Sequence, residues 1–212
     1  MVTMALIDYL QTKGESIFLV ETDTSNADVW RTYSGEVKGG ELIDFEDGDG
    51  WMNLIEAAND EKNKESTIVI NTKAANNRDV DKYGETLNNM LKEIGRELIV
   101  FWVINRQRDS LERLKDFRAV LPNAVVHIVR NSYFGEERKY QLYNTSNIRE
   151  EVEKSGGKSL TFPDMADLMA DNIYINRVSI AKASVNLTIG SRAEIQRWKS
   201  LVSIMFEEVY KS

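Results

Sequence analysis

The sequence predicts an α/β protein: a doubly wound, mostly parallel sheet with helices on both faces, its first strand missing. Two observations predict the class. Four short, continuous apolar runs (16–21, 66–71, 98–104 and 124–129) read as strands buried on both faces. Segments with helical spacing separate them, which is the alternation of a parallel sheet. A third observation suggests the missing strand. The chain opens inside a helix at Val2, with no cap and no strand ahead of it. Such a helix buries its apolar face on a sheet and needs that strand, and its first N–H groups lack partners.

The elements follow in order. Val2, Leu6, Tyr9 and Leu10 give an amphipathic helix over 2–13, and Gly14 suits the position after its end. SIFLVE (16–21) is the first strand. Residues 22–64 are polar, acidic and Gly-rich, with one helix expected over 51–59 and a surface loop at Glu41 to Asp49. STIVIN (66–71) is the second strand. A helix over 82–96 turns Leu87, Met90, Leu91 and Ile94 inward. LIVFWVI (98–104) is the third strand and the most apolar segment. Asp109 with Glu112 resembles a capping box opening a helix to Val120. AVVHIV (124–129) is the fourth strand. Helices follow near 147–155 and over most of 164–186. Ser191 with Glu194 reads as a capping box for the last helix, with Ile195, Trp198, Leu201, Val202, Met205 and Val209 on one face. No repeat or long linker interrupts the pattern, so one domain is expected over 1–212, with a C-terminal helical portion, 164–212, packed on it.

Composition excludes several functions. The 212 residues contain no Cys and one His. Thiolate metal sites, Cys nucleophiles, disulfides and multi-His zinc sites are therefore ruled out. No metal site is expected from the chain's own side chains. No apolar run reaches the roughly 18 residues of a membrane span, and Met1 to Leu10 lack a signal-peptide pattern. A cytoplasmic chain is expected. The net charge of −7 disfavours a generic nucleic-acid coat, although a local basic face is compatible with it. His127, inside an apolar strand, reads as a hydrogen-bonded core residue.

Four places carry candidate chemistry. Glu21-Thr22-Asp23-Thr24-Ser25-Asn26 follows the first strand. Carboxylates at the carboxyl end of a parallel strand sit where α/β proteins bind ligands, and they suit a metal-bound or hydrolytic water. An Asx-type turn capping the strand is the competing reading. Asn71-Thr72-Lys73-Ala74-Ala75 follows the second strand, with an uncharged amide where a carboxylate would serve magnesium. Asn105-Arg106-Gln107-Arg108 follows the third; its amide can read a base edge and its guanidiniums can meet phosphate, or it is a solvated loop. Gly156-Gly157-Lys158-Ser159 imitates the tail of a phosphate loop, but Val152 stands where the first Gly belongs and a helix precedes it. Gly156 reads instead as a residue that ends that helix. Tyr133, Phe134, Tyr140 and Tyr143, among Arg130, Arg138 and Lys139, either stack on bases or a partner, or pack as a loop.

The order of these segments resembles the ParA/MinD group of P-loop ATPases, in particular the plasmid-borne subgroup of StbB-type stability and TraL-type transfer proteins. MVTMALIDYLQTKGESIFLVETD is similar to the helix and strand that follow the phosphate loop there, ending in a D-x-D motif at Glu21-Thr22-Asp23. Asn71-Thr72-Lys73-Ala74 stands at that group's Asp-Thr-Pro-Ala motif, and Asn105 at its adenine-contacting Asn. VRNSYFGEERKYQLYNTS resembles the plasmid subgroup. The resemblance covers nearly the whole chain, and the order of its motifs is more specific than any one of them.

That resemblance implies an ATP-dependent switch protein of plasmid stability, partition or conjugative transfer. Asp23 would orient water, Asn105 would read adenine, and Thr72 would lie near the γ-phosphate, with Asn71 and Glu21 beside the nucleotide. ATP and Mg2+ are expected for a full-length form. A homodimer and a plasmid-encoded partner protein are the expected partners. The departures are specific: residues 1–212 carry no phosphate loop, Glu21 and Asn71 replace aspartates, and Lys73 replaces proline. They imply that the chain as given does not hydrolyse ATP, either because its start lies ahead of Met1 or because it is a degenerate relative. The alternative is a non-catalytic pseudo-ATPase that serves as a partner-binding scaffold.

Overall fold

The computed structural model describes residues 1–73 and 77–210, with the side chains of 77–79 left aside. In chain order the elements are α1 (Val2–Thr12), β1 (Ser16–Glu21), α2 (Asp28–Tyr33), β2 (Gly39–Leu42), α3 (Gly48–Asn59), β3 (Ser66–Asn71) and α4 (Asn77–Glu93). Then come β4 (Ile99–Ile104), α5 (Asp109–Val120), β5 (Val125–Asn131), α6 (Gln141–Asn144), α7 (Asn147–Lys154), β6 (Ser159–Phe162), α8 (Asp167–Asn176), α9 (Ile180–Asn186) and α10 (Ile189–Tyr210). The α/β class is as expected, and every strand pair among the described residues is parallel. The strands form two three-stranded sheets, β2-β1-β3 and β4-β5-β6.

The chain divides into two compact units, residues 1–75 with 165–212, and residues 76–164. In the first, β1 is the middle strand, with Ile17, Leu19 and Val20 buried. The register runs from Ser16 opposite Ser66 to Glu21 opposite Asn71, so these two strands end level. The C-terminal helices pack on α1: the Tyr9 and Phe206 rings lie 5.2 Å apart, and Lys199 Nζ sits 2.9 Å from the buried Asp8 carboxylate. Tyr33, fully buried, accepts from Ile180 N and donates to Met4 O, which ties α9 to α1 and α2.

In the second unit β5 is central. Trp102 packs on Phe117 and donates to Ser110 O at 3.0 Å, fastening α5 to β4. His127 is 3% exposed, stacks on Phe101 and accepts through Nδ1 from Lys158 N. It is the core histidine expected from its apolar strand, and burial holds its pKa down at about 4.

Several local expectations need correction. The stretch 22–64 holds α2 and β2 besides α3, because Gly39 and Gly40 let a short polar segment pair with Phe18 and Leu19. Two to four residues are too few to show a strand period. Glu41 to Asp49 is no free loop: Ile43 and Phe45 are buried, and the Phe45 ring stacks on Trp51 at 4.4 Å. β6 was likewise invisible for its length. The α4 helix spans Asn77–Glu93 rather than 82–96. Asp109 is the first helical residue of α5, not its cap; Arg108 takes that place without a side-chain bond. α10 begins at Ile189, so Ser191 lies inside it, and Leu201 faces solvent.

Candidate functional site

In parallel sheets ligands bind beyond the carboxyl ends of strands, so those two edges are where site residues should gather. At the edge of the first sheet the structure brings together Glu21 and Asn71, as the sequence placed them, and adds Thr3 from α1. Thr3 Oγ1 donates to Asn71 Oδ1 at 2.6 Å, and Asn71 Nδ2 donates to Glu21 Oε1 at 2.8 Å. The backbone N–H of Asp23 gives Glu21 Oε1 a second bond at 3.1 Å. Glu21 is 0% exposed, and among the described residues its Oε2 makes no hydrogen bond of normal geometry, although the Trp30 backbone N–H is near enough to favour the charged form. Burial pushes its pKa above the usual carboxylate range, against the pull of the Asn71 bond.

Asp23 stands two residues on and is half-buried. Its Oδ1 accepts from Ser25 Oγ at 2.7 Å and from Asn26 N at 3.0 Å. That is the Asx turn named as the competing reading. The Ser25 bond, with the Asn26 N–H, holds its pKa below the ordinary value. Thr72 is exposed. Lys73 pairs with Glu46 at 3.1 Å, and its N–H meets Thr22 Oγ1. Ala74 and Ala75 lie outside the described residues.

Asn105 closes β4 in the second unit. Its Oδ1 accepts from Gln107 N at 2.8 Å, which leaves the Nδ2 donor over. Beside it, buried Arg130 gives hydrogen bonds to Leu160 O, Ser159 O, Glu137 Oε1 and Asn144 Oδ1. Tyr140 Oη donates to Asn131 O, and Tyr143 Oη shares a hydrogen bond with Ser159 Oγ. The aromatic cluster therefore divides: Tyr140 and Tyr143 are packed, while Tyr133 and Phe134 stand in solvent. Gly156 has φ +87° just past α7 and precedes a strand, so Gly156 to Ser159 is a helix stop and not a phosphate loop. Thr3 and the anchoring by Arg130 were not evident from the sequence. A Thr in the first turn of a helix gives no sign of a partner 68 residues away.

Protein MobD of Acidithiobacillus ferrooxidans is 51% identical over 209 residues, 99% of this chain and 91% of its own length. The chain belongs to the MobD family. No protein-family model and no solved structure matches it. Among the described residues of this MobD-family chain, no helix is long and apolar enough to cross a membrane.

Magnesium in a nucleotide site keeps several waters and takes one or two carboxylates together with the substrate's phosphates. At this edge the candidate acids are engaged: Glu21 by Asn71 and the Asp23 N–H, and Asp23 by its own turn. Glu21 is closed off from solvent, and Asn71 carries no charge. Phosphate needs a cradle of backbone N–H groups and a cation, and Lys73 at this edge is engaged by Glu46.

Proposed function

We propose that this MobD-family chain is a plasmid-mobilization protein on a ParA/MinD-like α/β frame whose residues 1–212 bind a partner and do not hydrolyse ATP. The observation that carries the reading is the closed chain Thr3–Asn71–Glu21 at the edge of the first sheet. Groups that would serve nucleotide and metal are spent on one another, and Asp23 is spent on its own turn. The relative's name supports mobilization, and the order of strand-end motifs supports the frame. A cytoplasmic location and a plasmid-encoded protein partner belong to the same reading. The test is thermal unfolding of the 212-residue chain with and without millimolar Mg-ATP. No change in Tm is expected; a rise of several degrees, as binding to the folded state produces, overturns the reading.

One observation favours a second reading, an ATP-dependent switch. Glu21 Oε2, buried and without a hydrogen bond of normal geometry among the described residues, leaves acceptor capacity for a bound group. In a form that carries the phosphate loop, Asp23, Thr72 and Asn105 would take the roles the resemblance implies, and ATP would promote a homodimer. Calorimetry on such a form checks it, and absence of Mg-ATP binding at millimolar nucleotide removes it.

A further inference from the structure

Apart from Asn105, the carboxyl end of the second sheet presents groups that neither reading above uses. Asn131 caps the turn Ser132–Phe134 through its side chain, and the turn holds Tyr133 68% and Phe134 43% exposed. Their rings meet edge to face at 5.2 Å. The turn is not loose. Tyr140 Oη bonds Asn131 O, Arg130 holds Glu137 and Asn144 beneath it, and Gly135 at φ +126° lets the Lys139 stem pack close. Two large rings fixed in water by a rigid base form a stacking platform, since the ordering entropy of binding is already met.

The surrounding charge selects the occupant. Ile104 pairs level with Arg130, so Asn105 and Arg106 emerge beside Asn131, one strand spacing of about 4.8 Å away. Arg106 is near enough to Tyr140 to lower its pKa against the stronger effect of burial. Arg106, Arg108 and Lys139 are exposed, and among the described residues no ion pair engages them. The nearby acids Glu136 and Glu137 are neutralised by Arg138 and Arg130. Asp109 opposes at the start of α5. Residues 105–109 and 130–143 together carry five basic and three acidic side chains, in a chain of net charge −7. Screening over about 8 Å at physiological salt keeps the distant acids from cancelling this local excess.

We propose that this edge binds single-stranded nucleic acid, with bases stacking on Tyr133 and Phe134 and phosphates meeting Arg106, Arg108 and Lys139. Asn105 Nδ2 is the free donor beside the stack. A single strand suits it because stacking needs bases whose faces are open, which duplex bases are not. The proposal does not depend on nucleotide hydrolysis or on the closed network of the first sheet.

The test is fluorescence anisotropy of a labelled oligo-dT of about 20 nucleotides, titrated without ATP, at two salt concentrations. Binding below about 100 µM is expected, weakening with a slope of log K against log salt of about −2 for three phosphates. Tyr133→Ala and Phe134→Ala each weaken binding about tenfold, and Tyr133→Phe retains it. Arg106→Ala reduces the salt slope by about 0.7. Both rings are exposed, so unchanged circular dichroism melting confirms folded variants. Three outcomes overturn the proposal: no binding at about 100 µM protein, equal binding of duplex and single strand, or ring variants that bind as the parent does. If the ring variants instead lose self-association in sedimentation while no oligonucleotide binds, the surface is a protein interface and the proposal falls.

Discussion

At the carboxyl end of the first sheet a buried carboxylate keeps one oxygen without a normal hydrogen bond among the described residues, while at the same place in the second sheet a buried guanidinium reaches four acceptors. Both edges end middle strands of parallel three-stranded sheets, and both hold a polar group inside. In the first, Thr3, Asn71 and Glu21 bond one another, so the surface beyond them is left with Asp23 and a Lys73–Glu46 pair. In the second, Arg130 fixes a turn and the exposed rings and cations are left over. The position of a strand end does not make a site. What the fold leaves unused there does.

The largest expected effect tests the anchor. Arg130→Met should destabilise the protein by about 3 kcal/mol in urea unfolding, because two carbonyls and Asn144 lose a charged donor. A loss below about 1 kcal/mol would show that the turn stands without it.

Next comes His127. Its folded pKa, about 4, lies below the unfolded value near 6.5, so between those values the unfolded chain binds more protons. Stability is therefore complete above about pH 6.5 and is lost as pH falls towards 4, by about 3 kcal/mol in all. As the chain has one histidine, a single imidazole signal in an NMR titration reports it. Titration of that signal near pH 6.5 in the folded protein would contradict its burial.

At the first edge the effects are smaller. Thr3→Val removes the first link and should lower stability by about 1 kcal/mol, with Asn71 Oδ1 left unbonded. Glu21→Gln has the opposite sign. Burial raises the Glu21 pKa, so the native state favours the neutral acid, and the stability this brings is lost as pH rises through the folded pKa. A neutral amide should gain a little stability at pH 8 and make no such difference at low pH. A loss at pH 8 that shrinks at low pH would mean that the ionised form is the one the fold accepts.

The strands that could be read from the sequence were the apolar ones. SIFLVE, STIVIN, IVFWVI and VVHIV lie within a residue or two of their expected bounds, because an unbroken apolar run marks every residue; the expected burial on both faces holds for β1 and most of β5 but not for β4, where Ile99 and Val103 are exposed. GGEL and SLTF left none. They are strands because the backbone groups of β1 and β5 need partners on both sides. Of the site residues, Glu21 and Asn71 were placed together by their equal position at two strand ends. Thr3 was not, since its bond crosses 68 residues.

The sequence by itself determined the α/β class, the four apolar strands, the buried histidine and the helix stop at Gly156, because apolar runs, spacing and glycine act within a few residues. Only the tertiary structure decided that the strands pair as two sheets, that Tyr140 and Tyr143 pack while Tyr133 and Phe134 do not, and that Glu21 Oε2 lacks a normal hydrogen bond among the described residues. Pairing, desolvation and leftover hydrogen-bonding capacity depend on which distant segments meet, and that is set by the assembled chain.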